Sequence, residues 1–448
     1  MENVVTGEGR WGAYKTIFRL GLPVLVTQIG NIVYGMADTM MVGAYGTREL
    51  AAAAFVNNIF LIPLVMLMGF AGGITPLVGA LYGAGKNYDA GSLLRVGIRM
   101  NLQVAMVLVA FMVGLYFFLP HMGQDADILP LIQQYYLIVL ASLVMGALFY
   151  PCMQMALGVT DTVRPMVIIT FANIFNIVGN YALIYGNWGF PEWGLNGAGL
   201  STAIGRLIST IAMVGVVMWG RRYKAYKDGF KWRNGKVAGQ RQTLWTTSLP
   251  VSVQSGVECS LWGIGAVVCG WFGKEQLAGY QVVVSISQLG FMTYMSFATA
   301  VAIKVANFTG TGDRLGIRRH TIAGLHMILV LATLASLAFW LFGAPIMDLF
   351  TEDRSVIAVG LTLIVPLVLY QYADAVQILY VNALKGTGHT LPLMWISIIA
   401  YIVVGLPVLL LFAKVFAWHA AGVFYSFSVA LLVAAVLYRR SFIRTQRT

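Results

Sequence analysis

Read for apolar and polar positions, the chain resolves into about twelve long apolar runs separated by short polar punctuation. Their limits fall near 14–43, 52–83, 93–119, 129–157, 163–186 and 194–219 in the first half. The second half gives 244–273, 279–310, 319–345, 355–384, 390–414 and 418–439. Each is long enough for a helix to cross a hydrocarbon core, which takes roughly 20 residues. The runs are continuously apolar and lack the period-2 alternation of barrel strands, so helices are expected. The predicted fold is an all-α integral membrane protein with twelve transmembrane helices.

The pattern repeats. Pro250 follows Pro23 by 227 residues, and the same step carries Gly43 to Gly270, Gly46 to Gly273, Gly83 to Gly310 and Gly85 to Gly312. It still holds from Gly97 to Gly324, Thr160 to Thr387 and Pro165 to Pro392. Gly and Pro fix backbone shape, so one ungapped shift that preserves them points to duplication. Six spans per copy is an even number, which makes the repeats parallel, related by an axis along the membrane normal. The expected domains are an N-lobe over 1–219, a basic linker over 220–243 and a C-lobe over 244–448, with a central cleft between the lobes. Two lobes around a cleft favour alternating access; a channel more often assembles several subunits around one pore.

Composition agrees: 59% of residues are hydrophobic, 10% are charged and the mean hydropathy is +0.78. A soluble domain carries about 25% charged residues, so a cytosolic enzyme is excluded. The net charge of +12 would point to nucleic acid in a soluble protein. Here 23 of the 29 Lys and Arg residues lie in alternate connections that include both ends of the chain, and the opposite set holds only Arg48, Lys274, Arg354 and Lys414. Arg206 and Lys304 remain inside spans. The split places the termini and the linker in the cytoplasm, and no nucleic-acid partner is expected. The start of the chain lacks a signal-peptide pattern, so its first apolar run is expected to stay as a span. The linker GRRYKAYKDGFKWRNGKVAGQR (220–241) reads as a solvated segment, with anionic lipid heads as its other reading. Cys152, Cys259 and Cys269 read as small buried hydrophobes. His121, His320, His326, His389 and His419 have no metal-ligand spacing and no nucleotide motif occurs, so neither a cofactor nor ATP drive is expected.

Three acids fall within spans: Asp38, Glu258 and Asp374. An ionised carboxylate at the bilayer centre costs roughly 2.5–3.5 kcal/mol on insertion scales, which makes each a functional candidate. Helical spacing gives each a polar face: Asn31 and Tyr34 precede Asp38, Gln254 precedes Glu258, and Tyr370, Gln371 and Gln377 flank Asp374. Oxygen-rich faces suit Na⁺ and a buried carboxyl suits H⁺; both stay open. The repeat maps Asp38 onto Gly265, Asn31 onto Glu258 and Ala147 onto Asp374, so the acids are not symmetric pairs. Glu258 and Asp374 are predicted to share one cation site in the C-lobe.

GLPVLVTQIGNIVYGMADTMMVGAYGTRELAA at the start resembles the opening of multidrug and toxic compound extrusion (MATE) transporters. SLPVSVQSGVECSLWGIGAVVCGWFGKEQLAGYQ resembles the start of their second lobe. The acid set resembles the NorM-type bacterial branch. That resemblance implies cation coupling at Glu258, Asp374 and neighbouring Tyr370, and a bending proline at Pro23. It also implies an N-lobe cation or substrate site at Asp38, Asn176, Asn180 and Thr202, although Asn180 stands where other branches carry Asp. It further implies efflux of amphipathic, often cationic drugs in exchange for Na⁺ or H⁺ across the bacterial inner membrane, by rocking lobes. Drugs, the coupling ion and membrane lipids are then the partners, and a monomer is expected. Tyr34, Met36, Met40, Gln254, Met292, Tyr294 and Met295 are candidate cavity residues, Phe297 beside them, with ordinary helix packing as the alternative. The rival readings are a lipid-linked saccharide flippase, disfavoured because only Arg206 is deep, and a membrane-embedded enzyme, disfavoured because the acids have no nucleophile partner.

Overall fold

The computed structural model describes residues 9–125, 127–231, 239–351 and 353–447. Among these described residues, twelve helices long and apolar enough to cross a membrane follow in chain order. The first six are α1 (Arg10–Tyr45), α2 (Thr47–Gly83), α3 (Asn87–Phe118), α4 (Leu129–Gly158), α5 (Val163–Tyr185) and α6 (Gly194–Trp219). Six more follow: α7 (Gln240–Gly270), α8 (Lys274–Thr311), α9 (Arg314–Asp348), α10 (Ile364–Gly386), α11 (Leu391–Val415) and α12 (His419–Arg447). Every expected run holds one of them. Large apolar side chains point outward along them, Phe117 at 71% exposure and Met106 at 69% among others, as a lipid-facing surface requires.

The duplication is visible in the helix boundaries. α2 and α8 begin at Thr47 and Lys274, and α3 and α9 at Asn87 and Arg314, each pair one 227-residue step apart. Gly85 and Gly312, the same step apart, both take a left-handed backbone (φ 71° and 73°) that ends one helix before the next begins. At the second of these turns Asp313 caps α9 by accepting from the Gly316 amide at 2.9 Å.

The structure corrects two expected runs. Within 52–83 the helix is interrupted at Gly73, between Thr47–Gly72 and Ile74–Gly83. The stretch 355–384 is two helices, Arg354–Thr362 and α10, separated at Leu363. Pro366 has no N–H to offer the Thr362 carbonyl, which accounts for a break there. α11 is also not uniform: residues Ile398–Gly405 and Leu411–Val415 wind as π-helix on either side of Pro407.

The described residues form two compact units. One spans Val26–Ser248; the other holds the chain up to Leu25 and from Leu249 onward. Both boundaries fall inside continuous helices, just after Pro23 in α1 and just before Pro250 in α7. Each unit therefore contains the opening turns of the other repeat's first helix. In the unit that holds the second repeat, Tyr14 hydrogen-bonds His326 Nδ1 at 2.7 Å and the Phe18 ring stacks 6.3 Å from Phe297. In the other unit, Leu244 joins a core with Phe70, Ile74 and Met155.

The linker departs from a fully solvated segment. Residues 221–230 fold as a short 3-10 turn and one helical turn, with Tyr223 and Tyr226 buried. Tyr223 donates to Asp161 at 2.8 Å, Arg222 donates to the Val159 carbonyl at 3.0 Å, and Arg95 donates to the Lys231 carbonyl at 2.8 Å. Burial pushes the Tyr226 hydroxyl up to about 12, so it stays neutral against α3 and its neighbours. The basic side chains Arg221, Arg222, Lys224 and Lys231 keep the expected exposure. The close approach depends on glycine: a Cβ on Gly229 would collide with the Tyr88 carbonyl oxygen, and one on Gly91 with that of Tyr226. Gly229→Ala is expected to destabilise the protein by about 1–3 kcal/mol, read as a lower Tm in detergent. Gly114→Ala, in open space within α3, is expected to raise Tm slightly.

Candidate functional site

In the unit holding the second repeat, the polar side chains converge between α7, α8, α10 and α11. Gln254 and Glu258 sit one turn apart on α7, and Gln254 Nε2 donates to Glu258 Oε2 at 2.5 Å. On α10 the Tyr370 hydroxyl reaches the carboxylate of Asp374, four residues on. Glu258 and Asp374 lie within electrostatic range of one another. Asp374 is 1% exposed, and its Oδ2 has no hydrogen-bond partner among the described residues. Tyr294 of α8 donates to Gln371 Oε1 at 2.8 Å. An aromatic wall closes the cluster: Trp262 packs edge-on to Tyr370 (5.5 Å between centroids) and to Phe427 (5.0 Å), with Tyr280 donating to the Trp262 carbonyl.

No ion pair within 4.0 Å joins Glu258, Asp374 or Asp38 to a basic side chain among the described residues. Lys304, the basic residue inside α8, lies 5.5 Å from the Phe308 ring. The structure thus brings Glu258, Asp374 and Tyr370 together as the sequence predicts. Asp374 is buried and Glu258 half-buried, and without a counter-charge the two carboxylates pay both desolvation and mutual repulsion. A cation or a proton between them removes both costs, and the oxygen-rich donor set fits a hard monovalent ion.

The other unit gathers Asp38, Asn176, Asn180, Thr202 and Tyr34. Three helices each supply an i, i+4 pair: Tyr34 and Asp38 from α1, Asn176 and Asn180 from α5, Thr202 and Arg206 from α6. Asn180 Nδ2 donates to Asp38 at 2.8 Å, Asn176 Nδ2 donates to Thr202 at 3.0 Å, and the Tyr34 hydroxyl lies 3.3 Å from the same Thr202 oxygen. Asn173 bonds Asn31 beside them. Arg206 donates to Ser142 at 2.6 Å, and its charge acts on both Asp38 and Tyr34.

Two copies of one motif frame this arrangement. The MatE family profile matches residues 23–182 and 250–411, opening at Pro23 and again at Pro250. The chain belongs to the MatE family. Similar curated MATE relatives include a probable multidrug resistance protein NorM of Xanthomonas campestris pv. campestris, 26% identical over 97% of this chain and 94% of its own length. Multidrug resistance protein NorM of Photobacterium profundum is also 26% identical, over 88% and 86%. Among solved structures, the Vibrio cholerae MATE transporter VcmN in its bent form matches with a TM-score of 0.84 at 18% identity, covering 98% of both chains. The eukaryotic MATE transporter AtDTX14 matches with a TM-score of 0.86 at 17% identity, again over 98% of both. The NorM-type resemblance read from the sequence is borne out, and the protein is a multi-pass membrane transporter of the MATE family rather than an enzyme.

The candidate cavity residues of this MATE protein divide. Met36 and Met40 are exposed on α1, at 58% and 70%. Met292 and Met295 are half-buried on α8, where Asn382 Nδ2 approaches the Met295 sulfur at 3.6 Å. Gln254, Tyr294 and Phe297 are buried; the first two belong to the acid cluster itself. Pro23 sits inside an unbroken α1.

Sequence reasoning missed Tyr401. It is fully buried on the π-wound part of α11 and accepts from Gln377 Nε2 at 3.0 Å. A signal existed: Tyr401 is the one polar side chain between Ser397 and Lys414, in the most apolar run of the chain.

Proposed function

We propose that this protein exports amphipathic, often cationic compounds across the inner membrane, driven by inward exchange of Na⁺ or H⁺. The observation that carries the reading is the pairing of buried Asp374 with half-buried Glu258, within electrostatic range of one another and without a basic partner among the described residues. The names of the NorM relatives support the drug-efflux part. An entering cation binds between the two acids, removes their repulsion and stabilises one lobe arrangement. Substrate stabilises the other, and exchange follows because the two ligands prefer different states. One charge crossing 100 mV contributes about 2.3 kcal/mol, and the ion gradient adds to it. Asp38, with Asn180 and Arg206 around it, forms a second polar site that attracts cationic substrate. The basic connections and both termini then face the cytoplasm.

Ethidium efflux from loaded proteoliposomes tests this, first under an imposed Na⁺ gradient and then under an imposed pH gradient. Efflux is expected to accelerate under one of them; indifference to both would remove antiport from consideration.

A further inference from the structure

Gln377 lies three residues after Asp374 on α10, so the two side chains share a helix face. Both are about 99% buried, with 1% exposure each. Gln377 Nε2 is held by the Tyr401 hydroxyl, which leaves the carbonyl end of the amide pointing elsewhere. That oxygen, Oε1, has no hydrogen-bond partner among the described residues, and neither does Asp374 Oδ2. Buried acceptors without partners are rare in native proteins, and two of them one turn apart call for a shared explanation. Tyr401 stands within electrostatic range of both Glu258 and Asp374, so the amide bonded to it lies on the side of α10 that faces the acid pair. The tyrosine reaches this point from the π-wound segment Ile398–Gly405; such widened turns recur at functional sites.

We infer that Gln377 is the third oxygen ligand of the C-lobe cation site, with Tyr401 as the positioning residue that aims its carbonyl oxygen at the bound ion. The inference rests on the antiport reading above. An incoming positive ion satisfies both unpartnered oxygens at once. A sodium ion takes them as ligands, whereas a proton on Asp374 donates to Gln377 Oε1. Either way the amide oxygen stabilises the loaded form of the site. Without it the site still holds two acids but binds the ion less tightly.

The experiment titrates proteoliposome efflux against Na⁺ and, separately, against external pH, for wild type and for Gln377→Leu, Gln377→Glu, Tyr401→Phe and Glu258→Gln. In the arm that drives the wild type, Gln377→Leu is expected to raise the half-saturating ion concentration about tenfold or more. Tyr401→Phe shifts it in the same direction, as loss of an orienting partner typically weakens ion binding about 10–100-fold. Gln377→Glu retains an oxygen and adds a charge, so its half-saturation stays at or below the wild-type value. A purely structural role would lower the maximal rate or Tm and leave half-saturation in place; that result for Gln377→Leu overturns the inference. Should Gln377→Leu fail to fold, an unshifted titration for Tyr401→Phe overturns it instead. Glu258→Gln separates the two levels: if it remains coupled, the antiport reading itself has failed.

Discussion

Glu258→Gln and Asp374→Asn, made singly, are each expected to cut cation-driven efflux about 100-fold or more, and the double variant little further. A ligand that turns a 1:99 population of two states into 99:1 must bind the favoured state about 10⁴-fold more tightly, about 5.5 kcal/mol. Two mutually repelling carboxylates supply that difference as a unit, so neutralising either one removes most of it and the effects do not add. Stability should move the other way. Each variant takes a desolvated charge out of a cluster that has no basic partner among the described residues, and Tm is expected to hold or rise. Wild-type protein should gain Tm with the coupling ion through ligand linkage, and the variants should lose that gain. Efflux in proteoliposomes and melting in detergent, with and without the ion, measure both halves. A variant that loses transport and Tm together would point to a packing role.

The sequence made the spans legible because crossing a bilayer is a demand on local composition, and each run meets it alone. The duplication was legible because prolines and glycines constrain the backbone wherever they stand; the family match opens at the same Pro23 and Pro250. What stayed hidden depends on contacts between distant segments. Pro23, Pro63, Pro151 and Pro250 sit inside unbroken helices, while a helix breaks three residues before Pro366. Nothing local to those prolines distinguishes them. The linker's basic residues suggest solvation, yet Tyr223 and Tyr226 are buried because Gly91 and Gly229 allow two backbones to meet. Glu258, Asp374 and Tyr370 were readable as polar positions in apolar helices. Tyr401 was readable as an oddity, but its bond to Gln377 depends on π-winding that no periodicity of the sequence announces.

Arg206 carries the second large expectation, and it concerns the other unit. Its guanidinium donates to Ser142 and acts on Asp38, Tyr34, Tyr135 and Tyr150 by charge, although no carboxylate lies within ion-pair distance of it among the described residues. The cluster is therefore held by a long-range balance, in which one permanent positive charge offsets one carboxylate through a polar network. At an effective dielectric near 20, an interaction beyond ion-pair distance amounts to about 2 kcal/mol. Arg206→Met removes that offset and leaves Asp38 desolvated with Asn180 as its hydrogen-bond donor. The variant is expected to lose about 2 kcal/mol of stability and to melt at a lower temperature. Arg206→Met with Asp38→Asn should recover most of the loss, because the charge that needed balancing has gone; Asp38→Asn alone leaves Arg206 unbalanced and should be destabilised by a comparable amount. Melting of the four proteins closes a double-mutant cycle whose coupling term is the Asp38–Arg206 interaction. A coupling near zero would mean that Arg206 serves only its bond to Ser142, and the polar network of this unit would then have to hold the Asp38 charge by hydrogen bonds alone.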